Sequence, residues 1–237
     1  MRWLILITMF YPYVIFAQSE NASETYGAGV RAFYAGDYTT ALSKYSEALA
    51  LKPNTIGYLY SRGIAYQKLN EDSLATIDFD KILKLDPKYL DAWYQLGMIK
   101  INAKQYDSAF FYFSNALRIS PNDIMSLHQF GLLYYYKHKY SEAINVFSKI
   151  LRLDPNDGQA YYKRGLAKFN DEDFEGAIKD FSDSYRLDPD NILALEQRAL
   201  SFLRYNDLEN ACGDWTLLLK KGDLRVSDDI KLYCGGK

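Results

Sequence analysis

Residues 90–123 read LDAWYQLGMIKINAKQYDSAFFYFSNALRISPND, and this stretch decides the fold. In its first half, Trp93 and Gly97 lie four residues apart, which places them on one face of a helix. In its second half, small and apolar residues recur three and four apart around Phe113. Pro121 follows, and a proline cannot continue a helix because it lacks a backbone N–H and clashes with the preceding turn. The stretch therefore predicts a helix–turn–helix unit that ends near Pro121.

The same pattern recurs along the chain at an interval of 34 residues. Five of the six prolines fall at this interval, and each has a glycine, an alanine and an aromatic residue at fixed distances before it. A fixed period of this length is typical of a solenoid, in which each unit buries its apolar side against its neighbours. The recurring residues are the prolines Pro53, Pro87, Pro121, Pro155 and Pro189, the glycines Gly29, Gly63, Gly97, Gly131 and Gly165, and the aromatics Tyr45, Phe79, Phe113, Phe147 and Phe181.

A sixth copy differs from the other five. Ala211 and Trp215 are in register, but Ala199 replaces the glycine and Asp223 replaces the proline. Terminal units of a stacked array are expected to be atypical because one of their faces has no neighbour. Six repeats are therefore predicted, followed by a capping helix and tail over 226–237. The repeats span 22–55, 56–89, 90–123, 124–157, 158–191 and 192–225.

The offsets of the small, aromatic and proline residues resemble those of the tetratricopeptide repeat family, whose 34-residue unit is a helix–turn–helix. The resemblance covers residues 22–225, and the unit over 90–123 carries the fullest match. It implies an all-α fold, a tetratricopeptide solenoid in which six repeats stack into a superhelix. No strand-like alternation is sustained along the chain, which agrees with the all-α class.

In this family the first helices of successive repeats line a concave groove that holds a peptide or protein partner. The resemblance therefore implies that the second, fifth, ninth and twelfth residues of each repeat face the groove, and the fifth and twelfth supply the aromatic candidates. Tyrosine at these offsets offers rigid, amphipathic contact area at low entropic cost, although it is also common in the family whatever the partner. The candidate partner-binding residues are Tyr26, Tyr60, Tyr94, His128 and Tyr162 at the fifth offset and Phe33, Tyr135 and Phe169 at the twelfth.

Composition and charge argue against several classes of function. The net charge of −2 provides no strongly basic face for nucleic acid. His128 and His138 are the only histidines, and the two cysteines have no histidine near them, so no metal site, catalytic site or cofactor is expected. Acidic pairs such as Asp78 and Asp80 are interpreted as solvated helix faces or helix starts. We therefore expect a non-catalytic protein.

The first 17 residues form a separate segment. A basic start is followed by an apolar run, Trp3–Phe16, and by a small residue, Ala17. This order is typical of a secretory signal peptide, and the run is short for a membrane span, which needs about 20 residues. We expect a signal peptide over 1–17, no stable membrane span after its cleavage, and a periplasmic or secreted protein. A retained N-terminal anchor is the alternative.

Export would place Cys212 and Cys234 in an oxidising compartment, where such a pair can form a disulfide. A bridge here would restrict the unfolded chain by about 3 kcal/mol in the entropy model. The alternative interpretation is two buried thiols that never pair.

The function predicted from the sequence is that of a protein–protein interaction scaffold without a cofactor, which binds a peptide or protein partner in the groove. Two alternatives stay open. One is an accessory subunit of an envelope complex that binds through its edges or convex face. The other is a carbohydrate- or small-ligand-binding protein that uses the groove tyrosines as stacking platforms. The oligomeric state does not follow from the sequence.

Overall fold

The computed structural model of the protein describes residues 21–235. Within this range the chain is helical and contains no strand, which confirms the predicted all-α class. The predicted signal peptide over 1–17 lies outside the described residues. The described chain divides between Ile119 and Ser120 into two compact units.

The first unit contains three helix pairs. Helix α3 packs against α2 of the preceding repeat and against α4 of its own repeat, and α5 packs in the same way against α4 and α6. Helices α3 and α5 begin at the first residues of the second and third predicted repeats. The helices are α1 (21–34), α2 (Tyr38–Leu51), α3 (Ile56–Lys68), α4 (Asp72–Leu85), α5 (Leu90–Asn102) and α6 (Tyr106–Ile119).

The second unit also contains three helix pairs, and its first helices begin at the first residues of the fourth, fifth and sixth predicted repeats. Each of its consecutive helices packs against the next one. The helices are α7 (Ile124–Tyr136), α8 (Tyr140–Leu153), α9 (Gly158–Asn170), α10 (Phe174–Leu187), α11 (Ile192–Arg204) and α12 (Leu208–Lys220).

The turn inside each repeat is built around one residue in the left-handed region, always at the fifteenth offset. The N–H of the residue after it donates to a carbonyl five residues back, as Glu71 does to Tyr66 at 2.9 Å, and so satisfies a carbonyl at the end of the first helix. Only the first of these residues is a glycine, and an L-residue in this region costs about 1–2 kcal/mol. The six are Gly36, Asn70, Lys104, His138, Glu172 and Asn206.

Each of the first five repeats is held together by a contact between a glycine of the first helix and an aromatic ring of the second. Phe113 is fully buried, and a Cβ added to Gly97 would lie 2.6 Å from its ring. The same approach, at 2.7 or 2.8 Å, occurs in the other four repeats. A residue larger than glycine therefore does not fit at this position without a shift of the ring, because real Cβ atoms do not approach a ring this closely. The other pairs are Gly29–Tyr45, Gly63–Phe79, Gly131–Phe147 and Gly165–Phe181.

A second contact is a buried ion pair between the two helices of one repeat. Its arginine also forms a hydrogen bond to the preceding repeat. Asp78 is only 1% exposed because the Arg62 guanidinium binds it through two hydrogen bonds, of 2.7 and 2.8 Å. Arg62 also donates to Ser46 of the preceding repeat at 3.3 Å. The interpretation of Asp78 as part of a solvated helix face was therefore wrong. The same arrangement recurs as Arg164–Asp180 with Ser148 and as Arg198–Asp214 with Ser182.

The chain after α12 folds back onto that helix. A 3-10 turn (Leu224–Val226), a short α-helical turn (Ser227–Asp229) and a π-helical turn (Ile230–Cys234) follow one another. The capping helix predicted from the sequence is therefore present, but its helical geometry changes from turn to turn. So short a segment is not stable as an isolated helix, and its contacts with α12 set its geometry.

Cys212 of α12 and Cys234 of the tail are joined by a disulfide, with 5.8 Å between their Cα atoms. The Tyr233 ring stacks on the Trp215 ring at 5.7 Å, and Val226 is buried against the same cluster. The structure therefore contains the disulfide and not the two unpaired thiols of the alternative interpretation. The tail covers the apolar side of the last repeat.

We predict that Gly165→Ala destabilises the protein by about 1–3 kcal/mol, because the added methyl group must displace the buried Phe181 ring. Gly213→Ala is the matched control, since Gly213 also lies within a helix but has nothing within 4 Å of an added Cβ. It should stabilise the protein by about 0.5–1 kcal/mol through helix propensity. Urea unfolding followed by circular dichroism measures both changes. Equal effects of the two substitutions would contradict the packing argument.

Candidate functional site

The residues at the fifth offset are embedded in the core on one side. In the first unit the ring of Tyr26 lies 5.4 Å from that of Tyr45, and the ring of Tyr60 lies 5.8 Å from that of Phe79. Tyr94 makes the same contact with Phe113, at 5.7 Å. All three fifth-offset tyrosines are half-buried. Each ring therefore packs on the aromatic residue that faces the glycine of its own repeat and stays partly exposed.

The hydroxyl groups of two of these tyrosines bridge neighbouring first helices. The Tyr26 hydroxyl is hydrogen-bonded to Ser61 Oγ at 2.9 Å, and Gln95 Nε2 donates to the Tyr60 hydroxyl at 3.3 Å. Burial raises the pKa of Tyr60, so its hydroxyl stays protonated at neutral pH. In both cases the fifth residue of one repeat bonds the sixth residue of the next. These hydroxyls hold the face of the repeats together.

A cavity of about 220 Å³ opens on this face between α1 and α3. Its walls come from the fifth, ninth, twelfth, thirteenth and twenty-fourth offsets of the first repeat and from the fifth, sixth and ninth offsets of the second. None of its lining side chains is charged. We call it the aromatic pocket, and it brings together three of the predicted partner-binding residues, Tyr26, Phe33 and Tyr60. Its lining also includes Val30, Tyr34, Tyr45, Ser61 and Ile64.

The second unit repeats the packing with different chemistry. The Tyr162 ring lies 5.8 Å from the Phe181 ring, and the Tyr135 hydroxyl accepts a hydrogen bond from Asn170 at 3.1 Å. At the twelfth offset of the fifth repeat, the Phe169 ring lies 5.4 Å from the Phe174 ring. The predicted residues of this unit are therefore half-buried and packed, as in the first unit.

His128 replaces tyrosine at the fifth offset of the fourth repeat and lies in a charged network. Its Nε2 is 2.7 Å from Asp157 Oδ2, and its Nδ1 accepts from Lys163 Nζ at 3.3 Å. In the neutral ring these partners require Nε2 to carry the proton, which it donates to Asp157. Burial lowers the pKa of His128; the nearby Lys163 ammonium adds to this, and the two outweigh the opposing Asp157 carboxylate. The ring is therefore held in its neutral form.

The outer side of this network opens into a second cavity, of about 460 Å³. Asp157 and Asp188 contribute carboxylates to its lining, and Gln159 and Asn191 contribute amides. The two cavities thus differ in character, since the aromatic pocket has no charged lining and this one is polar. Both include residues of the first helices.

We predict that His128 makes the stability of the protein decrease as the pH falls below about 6.5. The unfolded chain takes up the proton near the ordinary pKa of 6.5, whereas the folded protein takes it up only at a lower pH. The free energy of unfolding should therefore fall as the pH drops through 6.5 towards the folded pKa. Urea unfolding over this range should show the decrease in the natural protein and in His138→Gln. Its persistence in His128→Gln would contradict the assignment.

Sequence reasoning missed the residues that hold the face together. Ser61, Gln95, Lys163 and Asp157 were not among the predicted site residues. Three of them lie 35 residues after their partner at the fifth offset, and Asp157 lies 29 residues after His128. A comparison of polar residues at these two spacings would have found them.

Two further observations concern chemistry and membranes. Between residues 21 and 235 there is no group of three or more histidine, cysteine, aspartate or glutamate side chains placed to hold a metal ion. None of the helices within that range combines the length and apolar character needed to cross a membrane.

The fold, with its successive pairs of helices, defines a helical repeat protein built from helix–turn–helix units. Family models described as tetratricopeptide repeat match residues 90–123 and 128–192, and a model described as TPR repeat matches 29–70. The chain belongs to the tetratricopeptide repeat family. No curated protein matches the sequence significantly.

Solved structures with a similar fold agree with this assignment. One, described as pilF of Pseudomonas aeruginosa, is 18% identical with a TM-score of 0.71, over 90% of this chain and 97% of its own. YrrB, described as a TPR protein with an unusual peptide-binding site, is 24% identical with a TM-score of 0.64, over 78% and 95%. A tetratricopeptide repeat protein of Parabacteroides merdae is 21% identical with a TM-score of 0.62, over 90% and 84%. The fold is that of a tetratricopeptide solenoid.

Proposed function

We propose that the protein is a non-catalytic interaction scaffold that binds a peptide or a protein segment along the face formed by its first helices. The aromatic pocket carries this proposal, because an uncharged cavity with rigid aromatic walls is suited to a side chain of a partner. The peptide-binding site named for YrrB gives a precedent on a similar fold. Only the kind of ligand, a peptide, is carried over from YrrB to this chain. The identity of the peptide is not.

Exposed apolar residues on the first helices support partner binding through these helices. Met125 and Leu193 occupy the second offset of the fourth and sixth repeats and are 59% and 48% exposed. Covering such a side chain with a partner removes apolar surface from water, which favours binding. In the fifth repeat the same offset carries Gln159, which lines the polar cavity together with His128. The second offset is therefore suited to partner contact.

Site-specific photo-crosslinking in the host cell tests which face binds. A photoreactive phenylalanine analogue replaces Met125 on a first helix or, as the control, Ile77 on a second helix. The two residues are matched in exposure, at 59% and 61%, so both substitutions leave the core intact. We expect a discrete crosslinked partner, identified by mass spectrometry, from position 125 and none from position 77. The variant Met125→Arg should reduce capture of that partner.

The opposite crosslinking result would contradict the proposal. Crosslinks from position 77 alone would favour the accessory-subunit alternative, in which the second helices or edges make the contact. A soluble oligosaccharide that raises the melting temperature in the absence of any protein would favour the ligand-binding alternative.

We further propose that the protein is exported and works in an oxidising compartment. The apolar segment Trp3–Phe16 with its basic start supports this, and so does the disulfide between Cys212 and Cys234. N-terminal sequencing of the protein isolated from its host should begin at Gln18. A sequence that begins at Met1 in the membrane fraction would instead indicate a retained anchor.

A further inference from the structure

The aromatic pocket has walls that are fixed before any ligand arrives. The Tyr26 ring is stacked on the Tyr58 ring at 4.4 Å and contacts the Tyr45 ring at 5.4 Å. Phe33 meets Tyr38 edge to face at 5.2 Å. Because these rings are already ordered, a side chain that enters the pocket does not have to immobilise them.

The pocket is chemically neutral. The hydroxyls of Tyr26 and Ser61 are bonded to each other, and the Tyr60 hydroxyl accepts from Gln95. Burial raises the pKa of Tyr45 to about 12, so its hydroxyl also stays uncharged. A charged side chain would lose its hydration here without gaining a counter-ion, whereas an uncharged apolar one gains by leaving water.

The size of the pocket suits a single side chain. A dry apolar cavity of about 150 Å³ is enough to bind benzene. At about 220 Å³, this pocket accommodates one aromatic ring and little more. Rings prefer edge-to-face or offset contact with other rings, and four of the lining residues are tyrosines. Tyr34, which is 85% exposed, also belongs to the lining and offers a ring that a ligand could cover.

The matching position in the second unit does not repeat this chemistry. There His128 and Lys163 take the offsets of Tyr26 and Ser61, so a charged network replaces the hydroxyl pair. Leu166 takes the offset of Ile64. The first unit alone therefore combines an uncharged lining with aromatic walls at these offsets, among the residues that have been described.

We propose that the aromatic pocket anchors one uncharged aromatic side chain of the bound peptide. This inference rests on the proposed function, since it names the part of the ligand that the face recognises. The remaining residues of the peptide would lie along the first helices, and the anchored ring would fix their register. Burial of such a ring corresponds to about a tenfold to hundredfold gain in affinity.

A phage-displayed library of random peptides, selected on the full chain, provides the probe. We expect the selected peptides to share one phenylalanine, tyrosine or tryptophan. Replacing that residue by alanine in a selected peptide should raise its Kd about tenfold to a hundredfold. Peptides that share a lysine or arginine instead would overturn the proposal in favour of a cation held by the rings.

Variants of the protein then locate the anchor. Ile64→Trp fills the pocket and should weaken binding of a selected peptide to the same extent. Leu166→Trp, at the same offset in the second unit, is the matched control and should leave the Kd unchanged. Tyr34→Ala removes a ring that is 85% exposed, so it tests the pocket without affecting folding, and it should weaken binding several-fold.

The outcomes separate this proposal from the proposed function. If the peptides bind Ile64→Trp and Tyr34→Ala as tightly as the natural protein but fail to bind Met125→Arg, the first helices of the second unit bind peptides without this anchor. The anchor proposal would then be wrong and the proposed function would stand. If none of the selected peptides responds to a change anywhere on the first helices, both are wrong.

Discussion

The closeness of a glycine to a buried ring is the constraint on which the rest of the structure depends. Because Gly97 has no side chain, the Phe113 ring lies directly against the backbone of the first helix, and this closes the helix pair. The Tyr94 ring then packs on the outer side of Phe113. The residues at the fifth offset therefore lie at the surface of the first helices, because the core beneath them is already filled by the buried rings. In the sixth repeat the buried residues Ala199 and Trp215 take the two core positions.

Contacts between repeats are more varied than contacts within them. The second, fifth and sixth repeats use a buried arginine–aspartate pair that also reaches a serine of the preceding repeat. The third repeat has Leu96 and Tyr112 at the arginine and aspartate offsets, and the fourth has Phe130 and Val146. Replacing a buried ion pair by apolar residues of similar volume is often neutral or stabilising. The fold therefore tolerates either solution, provided that both partners change together.

Features that recur at the same offset in almost every repeat could be predicted from the sequence, and contacts that only some of the repeats make could not. The prolines and glycines located the repeats, and helices begin at Ile56 and Leu90 as the spacing implied. Asp78 was misinterpreted because its partner Arg62 is 16 residues away on another helix. The network around His128 was missed for a similar reason, since Lys163 belongs to the next repeat. Neither cavity could be predicted, because each depends on how side chains of adjacent helices leave space between them.

Because of the disulfide at the end of the second unit, the two ends of the described chain differ in their resistance to local unfolding. Both cysteines of the protein lie in its last 26 residues, so the first repeat has no covalent clamp. We therefore expect local unfolding to begin more easily in the first repeat than in the sixth. The aromatic pocket takes five of its eight lining residues from that first repeat. A ligand that occupies it would hold the weaker end in place, so that occupancy and resistance to proteolysis near α1 would rise together.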